Sequence, residues 1–213
     1  MDVFPLSVTR GRETARNNDK AHFLPGFLAS LLLLGPFFLC SQEVSLNPDK
    51  QYEIFKKILT FDRNFKDRVG IEVVFGILFE KKNPHSVWAM EDLVKAIRES
   101  SDNRIEGLPV RIVLFDTEEV RDLSGSLKRN KVDFFYITPL KTMKVEKIVA
   151  VCRDLKVPTL TGVSTYVDEG VAVGFGVKGD KPEIIINVRA AKAQGYDFSS
   201  AFLRLARVKD GLN

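Results

Sequence analysis

Five stretches of this 213-residue chain hold side chains that could do chemistry. Asp116 follows an apolar run and is joined by Glu118 and Glu119, a carboxylate group of the kind used in acid–base work. Thr161-Gly162-Val163-Ser164-Thr165-Tyr166 sets four hydroxyls beside a glycine after another apolar run, where open α/β sheets hold ligands. Gly174-Phe175-Gly176-Val177-Lys178-Gly179 spells a dinucleotide-loop pattern. His85 stands in Asn83-Pro84-His85, and Cys152 lies in a helical-looking segment.

Each candidate has a plainer reading. The last glycine of a dinucleotide loop must open a helix whose N–H groups meet the pyrophosphate. Here Asp180-Lys181-Pro182 and another apolar run follow, so the context is strand–turn–strand and nucleotide binding is set aside. His85 has no second histidine or cysteine near it to complete a zinc set, and no nucleophile elbow supplies a serine for a triad. Asp116, Glu118 and Glu119 suit the first turn of a helix, where they cap it and oppose its dipole. Ser164 equally caps a turn. Asp168-Glu169 before Gly170 reads as a solvated loop as readily as a site. Cys152 falls in the stripe Val145, Ile148, Val149, Cys152, Leu155, which makes it a buried core thiol. The residues call for no cofactor and no metal.

The elements that must position these groups follow from hydrophobic period. Tyr52, Phe55, Ile58 and Leu59 share one face of a helix that Asp49 is placed to cap and that runs to Phe61. Asp62 to Arg68 reads as a charged connector. Gly70–Phe79 is nearly all apolar, the pattern of a strand covered on both faces. Ser86–Glu99 is a helix burying Met90, Leu93, Val94 and Ile97. Then come a strand at Pro109–Phe115, a helix at Glu118–Arg129 capped by Asp116 or Thr117, a strand at Val132–Thr138, a helix at Thr142–Leu155 and a strand at Pro158–Ser164. Such alternation predicts a flavodoxin-like or Rossmann-like parallel sheet sandwiched by helices. Val171–Val177 and Glu183–Val188, joined by Lys178-Gly179-Asp180-Lys181-Pro182, predict an antiparallel hairpin at the sheet edge. Arg189–Gln194 is a short helix closed by Gly195, and Ser199 or Ser200 caps a last one whose Phe202, Leu203, Leu205 and Ala206 return to the core.

The formal net charge is +4, with cations dispersed rather than interleaved with aromatics, which argues against nucleic acid. Phe27–Cys40 is uncharged and too short to span a bilayer, but suits the apolar core of a signal peptide. The expected organisation is therefore a leader over residues 1–41 and one α/β domain over residues 42–213, exported to the periplasm. A lipid anchor at Cys40 is the secondary expectation.

Beside this reading stands a resemblance carried by Val157-Pro158-Thr159-Leu160-Thr161 before Val167-Asp168-Glu169-Gly170, then Ile186-Asn187-Val188-Arg189-Ala190-Ala191, and Ser199-Ser200 with Leu203-Arg204-Leu205-Ala206-Arg207. In order and spacing, together with the leading aromatic helix and the Gly70–Phe79 strand, these resemble the YfiR/HmsC-like family of periplasmic regulatory proteins, from Tyr52 to Arg207. The resemblance implies a non-enzymatic regulator that holds an inner-membrane signalling protein in check. That partner would be a diguanylate cyclase, acting through cyclic-di-GMP on biofilm output, or a sensor kinase. A homodimer is the further partner to consider. Relatives carry redox cysteine pairs that this chain lacks. Thr161–Phe175 also resembles a segment of periplasmic binding proteins, so the alternative is a small-ligand binder of the solute-binding type. The candidate contact residues on either reading are Thr161, Ser164, Thr165, Tyr166, Asp116 and Arg189.

Overall fold

The computed structural model describes residues 48–100, 102–178 and 181–209, all within the unit Ser41–Asn213. The expected leader and Cys40 lie outside the described residues. Five apolar runs form parallel strands: β1 (Val73–Phe79), β3 (Leu108–Asp116), β4 (Phe134–Ile137), β5 (Thr159–Thr161) and β6 (Val173–Lys178). Three more complete the sheet: β2 (Arg104–Ile105), β7 (Lys181–Asn187) and β8 (Arg207–Lys209). The strand order is β2-β3-β1-β4-β5-β6-β7-β8. β1 pairs in parallel with both β3 and β4, which leaves it central, and six of its seven residues are buried.

The helices are α1 (Pro48–Thr60), α2 (Phe65–Arg68), α3 (Pro84–Glu99), α4 (Leu123–Asn130), α5 (Val145–Leu155), α6 (Val188–Ala193) and α7 (Ser200–Leu203). A 3-10 turn spans Ser164–Val167. Alternation along the strands sends successive side chains to opposite faces. Val73, Phe75 and Ile77 of β1 join Phe55, Leu93 and Ile97 in one core, while Val74 and Leu78 join Leu127, Ile148 and Cys152 in the other. Helices thus cover both faces, with α1 and α3 on one and α4 and α5 on the other.

Several expectations are corrected. The β6–β7 pair is antiparallel, but β8 adds beyond β7 in parallel, so the hairpin is not at the edge. β8 escapes notice because three residues are too few to show a period. Helix α4 starts at Leu123 and is capped by Asp122, whose Oδ1 accepts from Gly125 N at 2.9 Å. Asp116 instead accepts from Glu118 N at 3.0 Å, an Asx turn that precedes the helix. α1 begins at Pro48, so Asp49 lies in its first turn rather than at the cap. Leu205, expected in the core, is 74% exposed. Of the two serines expected to cap the last helix it is Ser199 that does so, accepting from Phe202 N, and Asn187 caps α6 by accepting from Ala190 N. Gly195 sits at φ +93°, the left-handed value that ends α6. Gly174 is held inside β6 by crowding, since a Cβ there would lie 2.4 Å from Val167 Cγ2. No helix of the described residues is long and apolar enough to cross a membrane.

Candidate functional site

The chain leaves β1, crosses to β3 on one side, then returns to β4 on the other. The loops after β1 and β4 therefore part at the carboxyl ends of the strands, which is where open α/β sheets form their crevice. A cavity of about 430 Å³ opens there. One wall is the first half of α3, with His85, Trp88 and Asp92; the other is Pro139-Leu140-Lys141 after β4. Tyr136, Gly162 and Val163 line the remainder.

Buried polar groups brace these loops. Glu80 N donates to Ser86 Oγ at 2.8 Å, the Ser86 and Thr138 hydroxyls meet at 2.6 Å, and Thr138 Oγ1 donates to Leu78 O at 2.8 Å. Thr138 spends its one proton on Leu78, so Ser86 must donate to Thr138, and the chain is ordered from end to end. Glu80 Oε2 accepts from Lys141 N at 2.7 Å, and Asn83 Nδ2 donates to Pro139 O at 3.0 Å. Burial of Glu80 raises its pKa, but hydrogen bonds from Lys141 N and from Thr142, with the Lys141 charge, outweigh that and hold it below the ordinary carboxyl value. The opposed walls are thus tied together at one end.

Towards solvent the crevice is aromatic and charged. Trp88 is 59% exposed and meets His85 edge to face at 5.4 Å and 86°. Asp92 and Lys141 are exposed, and neither joins an ion pair with the described residues. At the base Tyr136 Oη donates to Gln51 Oε1 at 3.0 Å, and burial pushes the phenol pKa up, so it stays protonated. Gly162 keeps this corner open: a Cβ there would sit 2.7 Å from Tyr136 Oη. The ensemble offers a stacking surface, one anion, one cation and an imidazole, which is equipment for binding. Among the described residues no cluster of three or more His, Cys, Asp or Glu could hold a metal.

The six residues expected from sequence are dispersed. Thr161 is fully buried, with its hydroxyl donating to Ile137 O at 2.8 Å and accepting from Val163 N at 3.0 Å, so it shapes the strand end from within. Ser164, Thr165 and Tyr166 occupy the 3-10 turn, and Tyr166 Oη accepts from Leu140 N at 2.8 Å, steadying the loop behind the crevice. Asp116 is buried in its Asx turn at the end of β3. Arg189 lines a separate groove of about 570 Å³ between α5 and α6, with Glu146, Asp168 and Glu169. Burial raises the Glu169 pKa, and the Glu146 and Asp168 carboxylates add to that.

Trp88 and Asp92 had no part in the expected site. A signal for Trp88 was present, because it lies outside the stripe Met90, Leu93, Ala96 and Ile97 that α3 buries. A bulky aromatic off the buried face of an amphipathic helix asks for a partner of its own.

A sequence model of the family described as YfiR/HmsC-like matches residues 80–207, more than half of the chain. No curated protein matches. Among solved structures, a conserved domain protein from Vibrio cholerae superposes with a TM-score of 0.53 at 16% identity, covering 78% of this chain and 61% of that one. The ligand-free, open structure of CD0873, a substrate binding protein with adhesive properties from Clostridium difficile, gives 0.53 and 16%, covering 70% and 58%. An ABC domain in complex with L-Trp from Streptococcus pneumonia gives 0.52 and 13%, covering 76% and 60%. The chain spans about three fifths of the length of these proteins, and at such identity the likeness is one of fold.

Proposed function

Because the chain belongs to the YfiR/HmsC-like family, we propose that it is a non-enzymatic periplasmic regulator that binds and restrains an inner-membrane signalling protein, a diguanylate cyclase. The observation that carries this reading is the family match itself. It runs from Glu80 to Arg207, where β8 begins, and so includes the braced loops and the crevice. Two details favour contact over catalysis. Cys152 is buried and its thiol is pushed up to about 12 by burial, so it is no nucleophile at neutral pH. The Asp116 carboxylate is engaged by its own turn.

The test is a tagged pull-down from solubilised membranes, followed by co-expression of the recovered partner. Recovery of a cyclase whose cyclic-di-GMP output falls when this protein is present supports the proposal. Recovery of transporter permeases alone sinks it. A homodimer belongs to the same proposal, and sedimentation of the purified protein tests it.

A second reading, a small-ligand binder of the solute-binding type, is favoured by the crevice at the β1/β4 divide and by fold likeness to a substrate binding protein and to a domain in complex with L-Trp. A ligand screen by melting temperature tests it, since a molecule that binds the native state raises the midpoint.

A further inference from the structure

We propose that the crevice between α3 and the loop after β4 binds a neutral, hydroxyl-rich saccharide of disaccharide size, with Trp88 as its stacking platform. This rests on the ligand-binding reading of the crevice and goes beyond it by naming the ligand class.

The first argument is the exposed indole. Phe55, Phe75, Phe134 and Phe135 are fully buried, while Trp88 is 59% exposed on a crevice wall, with His85 packed edge to face against it. A flat apolar surface held in place beside polar groups matches the C–H face of a pyranose, which is apolar in the middle and hydroxylated at its rim.

The second argument is spacing. His85, Trp88 and Asp92 share one wall of the crevice, and seven residues of α-helix separate His85 from Asp92, about 10 Å along the axis. A free amino acid carries its amino and carboxyl groups on one carbon and cannot serve both ends of that wall. A disaccharide distributes hydroxyls along its whole length.

The third argument is the mixture of donors and acceptors. Asp92 accepts, whereas Lys141 and His85 can donate. Hydroxyls do both. One anion and one cation on the walls favour a ligand without net charge. The cavity, about 430 Å³, lies in the range of small-molecule sites, and the bonds from Glu80 and Asn83 hold its walls in place before binding.

Trp88 is the sole tryptophan of the chain, so indole emission, excited beyond the tyrosine band, reports on this crevice alone. The experiment titrates the full chain with cellobiose, maltose and N,N′-diacetylchitobiose, following emission and heat. At least one should give a saturable emission change with matching heat. Asp92→Ala should weaken that binding about tenfold with the melting temperature unchanged, and Trp88→Ala should remove it while Trp88→Phe retains part. The proposal fails if none of the three produces heat or an emission change up to about 10 mM. It fails equally if sugar heat survives both Trp88→Ala and Asp92→Ala, because the site is then elsewhere. Heat with L-phenylalanine or L-tyrosine and none with the sugars would overturn the saccharide while keeping a ligand-binding crevice. No heat with any of the five would remove both.

Discussion

The carboxylate of Asp62, with no exposed side-chain surface, is closed over by the guanidinium of Arg68, and this pair fastens the end of α1 to the far end of the chain. Asp62 Oδ1 also accepts from Asn64 N at 3.1 Å and Asp197 N at 2.9 Å. Arg68 donates to Gly195 O at 2.6 Å and lies over the rings of Phe134 and Tyr196, 5.2 and 5.6 Å from their centroids. A segment that reads as a charged connector is a buried clasp.

Removing one partner of a buried pair strands the other charge in a poor solvent. Asp62→Ala should therefore cost about 3–5 kcal/mol, read as a lower urea midpoint. A loss below about 1 kcal/mol would show that water reaches the pair.

Glu80 should tie crevice rigidity to pH. Its folded pKa is lowered from the ordinary 4.5, so its contribution is present above that value and fades as pH falls through the folded one. Glu80→Gln should cost about 1.5–3 kcal/mol at neutral pH, and the difference from the parent should shrink under acid. An equal deficit at both ends of the range would assign the effect to packing instead.

Alkaline pH should loosen the whole domain. Burial raises the Cys152 thiol from 9.0 to about 12 and, with help from Glu53 and Asp102, the Tyr52 phenol from 10.0 to about 12; it also raises Tyr136 and Tyr196. The unfolded chain gives up these protons where the folded one keeps them. Stability should therefore fall from about pH 9 upward, by as much as about 1.4 kcal/mol per pH unit per group. Urea midpoints across that range check the slope, and Cys152→Ala should flatten its first part. Native Cys152 should also resist a thiol reagent at neutral pH and react on unfolding. Fast labelling of the folded protein would contradict its burial.

Gly76 lies in the middle of β1, where a Cβ would stand 2.8 Å from Phe135 Cδ2 and 2.9 Å from Val132 Cγ1. Gly76→Ala should cost about 1–3 kcal/mol by overpacking that core. A neutral result, measured by thermal melting, would mean that the two side chains can retreat.

The order of strands and helices was legible because each run carries its own period. Tyr52, Phe55, Ile58 and Leu59 repeat at helical spacing, and the unbroken apolar run around Val73–Phe79 admits a strand covered on both sides. Local chemistry was legible too: the serine cap of the last helix, the turn at Gly195 and the burial of Cys152 depend on neighbours close in the chain.

The crevice was hidden, because its walls come from segments some fifty residues apart, as in the contact of Asn83 with Pro139. The hydroxyl of Thr161 looked available only while Ile137 O was not known to lie beneath it. Asp62 and Arg68 show neither period nor motif, and their pairing needs Gly195 and Asp197, brought over by the fold. Periodicity and capping are written in nearest neighbours and can be read from the chain. Which loop faces which, and so where a ligand or partner meets the protein, is settled by sheet order and packing, which join residues that no local pattern connects.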